Sequence, residues 1–143
     1  MIKVTIWNEF VEERIYEEVK RVYPDGIHKC LEEFLSKNED MQVRCVTLSS
    51  KDQGLSDEIL SDTDVLIWWG HQEHDAVTEE NAERVKKYVL NGMGFIPLHA
   101  AHFCKPLKKL LGTSMCLRWK HGESEKLICV NPSHPIAEGI TEP

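Results

Sequence analysis

The sequence predicts an α/β fold built on a mainly parallel sheet with helices on both faces. Two observations carry this reading. Short β-branched and aromatic runs alternate along the chain with segments of helical periodicity. One run, DVLIWW at 64–69, is almost continuously apolar, the pattern of a strand buried on both faces. The chain has 143 residues, about the length of one domain, and shows no internal repeat, low-complexity tract or linker. Residues 1–143 are therefore read as a single domain.

The first element, IKVTIW at 2–7, combines β-branched and aromatic residues and reads as a strand. In the polar stretch from Asn8 to Asp25, Ile15, Val19 and Val22 have helical spacing, ending before Pro24. Residues 27–37 follow as a clearer helix. Its stripe of Ile27, Cys30, Leu31, Phe34 and Leu35 would cover one face of the sheet. QVRCVTL at 42–48 alternates polar and apolar residues and reads as the second strand. A short helix over 55–60 takes Ser56 as its N-cap. The third strand, 64–69, ends at Gly70.

Thr78 caps the next helix, Glu79 and Glu80 complement its dipole, and Gly92 stops it. GFIPLH at 94–99 is the fourth strand, with Pro97 implying an irregular end. A short helix at 103–111 carries Lys105, Lys108 and Lys109 on a solvated face. Two weaker strands are expected at 115–120 and 126–130.

Composition narrows the function classes. A hydrophobic fraction of 41% and a charged fraction of 29% fit a chain with a packed core. The net charge of −7 argues against nucleic acid, whose phosphates need a basic face. No apolar run approaches the roughly 18–20 residues of a membrane span, and no signal pattern opens the chain, so a cytoplasmic location is expected. The five cysteines form no C-x-x-C pair, which leaves reduced and mostly buried thiols.

Parallel α/β sheets bind ligands outside the carboxyl ends of their strands. Asn8 and Glu9 follow the first strand. Gly70, His71, Gln72, Glu73, His74 and Asp75 follow the third. His99 and His102 follow the fourth, and His28 opens the helix at 27–37. Five of the seven histidines thus map to one rim. A polar pocket using imidazole as acid, base or metal ligand is one reading. Histidines that merely cap or bond the backbone are the other.

His28, His71, His99 and His102 are the catalytic candidates, with Glu9 as a partner carboxylate. Trp7, Asn8, Trp69, Gly70 and Gln72 are candidate substrate contacts, the tryptophans as platforms for sugar rings. A core role is equally open for each tryptophan. His71, His74 and Asp75 form a candidate set for a divalent metal such as zinc.

The stretches carrying these residues resemble the trehalose-utilisation (ThuA-like) family. WNEF, YPxGxH, WWGHxxHD, GMGxIxLHxxHF and HPIxEGI occur in order over essentially the whole chain. The resemblance implies a flavodoxin-like three-layer α/β/α sandwich, similar to class I glutamine amidotransferases. It also implies a role in carbohydrate catabolism, with a disaccharide or keto-sugar as substrate. The amidotransferase nucleophile would stand on the turn after the fourth strand, which here reads His99-Ala100-Ala101-His102-Phe103. No nucleophile is present there, so glutaminase chemistry is not expected.

Members of the family run well past HPIxEGI, so either a short form or a C-terminal truncation is expected, and a homo-oligomer would cover an open sheet. A sugar-active isomerase, lyase or hydratase is the leading expectation. A non-catalytic sugar- or metabolite-binding module on the same fold is the alternative.

Overall fold

Four parallel strands in the order β2-β1-β3-β4 form the centre of the molecule in a computed structural model describing residues 1–118, 120–122, 124, 126 and 128–140. They are β1 (Ile2–Asn8), β2 (Met41–Thr47), β3 (Val65–Trp69) and β4 (Gly94–Pro97). The helices are α1 (Glu12–Ile15), α2 (Glu17–Val22), α3 (Ile27–Leu35), α4 (Asp57–Ser61), α5 (Glu79–Leu90) and α6 (Lys105–Leu111). This is the parallel α/β arrangement expected from periodicity, and it is consistent with the flavodoxin-like fold that the family resemblance implies.

Alternation along β1 sorts the chain into two layers. Trp7 pairs in register with Trp68, and their rings stack at 3.9 Å between centroids, 19° from parallel. Leu55, Leu60, Leu66, Val77, Val85, Ala101 and Cys104 complete the core on that face. On the opposite face, α3 lies over β1 and β2, covering Val4 and Ile6. Beyond β1 this face is thinner. Val65, Ile67 and Trp69 are half-buried, and Ile96 is exposed.

Local signals acted as expected at two helix starts. Ser56 accepts the Ile59 amide and Thr78 the Asn81 amide. At the fourth strand, the ladder stops at Pro97, and residues 99–103 form a 3-10 turn before α6. His99 therefore belongs to the turn rather than the strand. The expected stripe of α3 is only partly covered, with Phe34 and Cys30 exposed. β2 is the sheet edge, so the outer half of the stripe has no strand beneath it. The lysines of α6 are not simply solvated. Lys105 and Lys109 pair with Glu79, and Lys109 also pairs with Glu83, tying α6 to α5.

The described residues of 115–120 and 126–130 form no strand; Trp119 and Leu127 lie outside the described residues. Among the described residues no helix is long and apolar enough to cross a membrane.

Leu66, two residues before Trp68 on β3, is fully buried in the middle of this core. Leu66→Ala should cost about 2–5 kcal/mol, through lost transfer energy and the cavity left behind. Urea denaturation of both proteins reads this as a lower midpoint at unchanged slope.

Candidate functional site at the carboxyl edge of the sheet

Asn8 and Glu9 end β1, and their side chains serve different neighbours. Asn8 is fully buried. Its Nδ2 donates to Glu13 Oε1 at 2.9 Å and to His28 Nδ1 at 2.8 Å, while its Oδ1 accepts the Phe10 amide at 2.8 Å. That last bond holds Phe10 in the left-handed region at φ 51°. With both donors and its oxygen engaged inside the protein, Asn8 is a structural link, not the free substrate contact expected of it.

The Asn8 bond makes His28 Nδ1 an acceptor, so in the neutral ring the proton sits on Nε2. Burial pushes His28 below its ordinary value, outweighing the opposite pull of the Glu13 carboxylate. Glu13 is buried as well, and its Oε1 also accepts the Ile27 amide at the start of α3. Gly26 permits this packing. Its φ is +92°, and a Cβ there would stand 2.4 Å from His28 Cε1.

Glu9 is 2% exposed and points toward the loop after β3. Its Oε1 accepts the Gln72 amide at 2.8 Å and its Oε2 the Glu73 amide at 2.9 Å. The carboxylate thus fixes the loop that carries His71 and His74. Gly70 leaves room for it, since a Cβ there would stand 3.3 Å from Glu9 Oε2. His71 Nδ1 meets Glu12 Oε1 at 2.9 Å, and Gln72 Nε2 donates to the same oxygen at 3.1 Å.

On the turn after β4, His102 Nδ1 donates to the His99 carbonyl at 3.2 Å. A carbonyl can only accept, so the neutral His102 ring presents its lone pair at Nε2. That atom is buried without a partner, as is Nδ1 of His74. Burial lowers the pKa of His74; Glu9 raises it, and His102, Lys108 and His71 lower it further. His99 and His102 lie 6.4 Å apart between ring centroids.

The rim therefore has two parts. Glu9 fixes the loop carrying His71 and His74 after β3, while on the turn after β4 His99 stands near His102, and the rings of His74 and His102 both lie against Phe103. His28 stands apart with Asn8 and Glu13; among the described residues no hydrogen bond or ring contact links it to the other four. Trp7 corrects an expectation. It is 1% exposed and donates Nε1–H to the Gln53 carbonyl, so it packs the core and offers no platform to a sugar. Trp69 is half-buried on the α3 face.

Among the described residues no three His, Cys, Asp or Glu side chains are placed to hold a metal. Instead the Asp75 carbonyl accepts Lys105 Nζ. At the turn, Ala100 and Ala101 are buried, and burial pushes the Cys104 thiol up to about 11, which leaves it protonated. Glu12, Glu13 and Phe103 went unnoticed in the sequence. The two glutamates sit in a polar stretch, where hydropathy gives no sign that one of them is buried.

The depressed pKa of His28 predicts the direction of acid sensitivity. Its contribution to stability is fully present above the ordinary value of 6.5 and is lost as pH falls below it. The unfolded chain then binds a proton that the native state refuses. Unfolding free energy, measured in urea from pH 7.5 to pH 5, should decline with acid. His28→Gln should flatten that decline, and an unchanged slope would refute the assignment.

A search of the curated proteins finds no match to the chain. The sequence model of the ThuA family, described as trehalose utilisation, matches residues 3–143, covering the ends of β1, β3 and β4 and every histidine of the rim. The chain belongs to the ThuA trehalose-utilisation family.

Proposed function

We propose that this protein acts in carbohydrate catabolism on a disaccharide or keto-sugar, by histidine acid/base chemistry at the carboxyl edge of the sheet. The observation that carries the reading is His102. Its Nδ1 is committed to the His99 carbonyl, which leaves Nε2 as a lone pair buried at the ligand-binding edge of an α/β sheet. A fixed tautomer with a free basic nitrogen is what a general base requires.

For a sugar ketone, the reaction such a base performs is removal of a proton from the carbon beside the carbonyl. Isomerisation and elimination begin with that proton transfer, and addition of water to the resulting enone ends with its reverse. His71, held by Glu12, and His99 border the same edge and are candidate contacts to substrate hydroxyls. Glu9 supports the site by holding the loop after β3, rather than as a free carboxylate.

A binding module is the second reading. The turn with buried Ala100 and Ala101 and the protonated, buried Cys104 favour it, because they leave the fold without a nucleophile. Calorimetry with trehalose and its ketone separates the two, since binding without turnover would identify the module.

Steady-state turnover of a keto-disaccharide should fall about 10²–10⁴-fold in His102→Ala, the usual contribution of a positioned acid or base. Wild-type rates in His102→Ala, His99→Ala and His71→Ala would end the acid/base reading.

A further inference from the structure

The ring of Phe103 gathers three cationic or titratable groups from three positions in the chain. The His102 ring lies 4.2 Å away between centroids and the His74 ring 6.1 Å, while Lys108 Nζ sits 4.8 Å from the Phe103 centroid. Among the described residues three buried side-chain nitrogens or oxygens lack a partner, and two of them are here: Nδ1 of His74 and Nε2 of His102. Buried polar atoms are rarely left unpaired, so two on neighbouring imidazoles call for an explanation. The third, Oε2 of Glu13, belongs to the separate cluster around His28.

The two nitrogens are not equivalent. His102 Nδ1 is tied to the His99 carbonyl, so its free nitrogen is an acceptor. Nothing is bonded to Nδ1 of His74, so that ring is free to carry its proton there and to donate. A base and a donor thus stand against one aromatic ring. His74 is held in place because the loop carrying it is fixed by the Glu9 carboxylate one residue before it, at Glu73.

We infer that His74 is a second catalytic residue of this site, working with His102 on a hydroxy-ketone. The inference rests on the acid/base reading above. His102 Nε2 takes the proton from the carbon beside the carbonyl. The C–H electron pair becomes the carbon–carbon double bond of an enediolate, and the carbonyl π electrons move to oxygen. His74 Nδ1–H donates a hydrogen bond to that oxygen as its charge develops. Shift of the hydroxyl proton between the two enediolate oxygens, and return of the His102 proton to the other carbon, gives the positional isomer. Nothing is oxidised or reduced overall, and no co-reactant is needed.

The test is incorporation of deuterium from D2O into the ketone made by oxidising one ring hydroxyl of trehalose. Wild-type protein should exchange the carbon-bound hydrogen. His102→Ala should lose the exchange, and His74→Ala should slow it about 10²-fold, the usual effect of removing one such donor. His74→Gln, which keeps an N–H donor, should recover part of that loss. Should His74→Ala fail to fold by circular dichroism, His74→Leu takes its place with the same loss expected.

Wild-type exchange in folded His74→Ala, with His102→Ala inactive, would overturn this inference and leave the acid/base reading standing. No exchange by the wild-type protein would overturn both.

Discussion

Glu9 is a carboxylate removed from water at the end of the central strand, and two backbone amides of the next strand's loop satisfy it. A buried ionised group without such donors would be strongly destabilising. The bonds to Gln72 and Glu73 therefore couple the end of β1 to the loop after β3. That coupling places His71 beside Glu12 and His74 beside Phe103. Gln53 and Lys105 hold the far end of the same loop through its carbonyls at Ala76, Asp75 and Val77. The carboxylate is best understood as the part that makes the rim a site rather than a set of loops.

One residue earlier, Asn8 performs the corresponding task on the α3 side. It joins Glu13 and His28 and supports the turn at Phe10. The two neighbours thus organise two clusters with different chemistry. Around Asn8 the groups are buried and engaged with one another. Around Glu9 they are partly open, and two imidazole nitrogens are left unpaired. The stacked Trp7 and Trp68 lie directly below, giving this end of the sheet a rigid apolar floor.

Much of the framework was legible along the chain. DVLIWW reads as a central strand because no polar residue interrupts it, and β3 is central. Ser56 and Thr78 read as caps because their hydroxyls reach a free amide three residues on, and both do so. Histidines following strand ends read as a rim because parallel strands all point the same way. Trp7 was misplaced as a platform, since nearness to a strand's end does not reveal whether a ring turns into the core. Asn8 was misplaced for a related reason: which groups it would meet depends on α1 and α3 folding back over it. The stripe of α3 was read correctly as a helix face, yet its burial depends on how far the sheet extends.

Periodicity, capping and the alternation of strands with helices along the chain are local properties, governed by backbone geometry and by which side chains alternate. They were sufficient to specify a parallel α/β sheet with its histidines at the carboxyl edge. The state of each histidine is a different kind of property. His28 is engaged at Nδ1 because Asn8, twenty residues away, donates to it, and burial holds its pKa below the ordinary value. His102 presents a bare nitrogen because its Nδ1–H donates to a carbonyl three residues back, and that nitrogen is buried by the packing around it. Such differences among chemically identical side chains arise from turn geometry and from burial against distant segments, and only the folded chain supplies both.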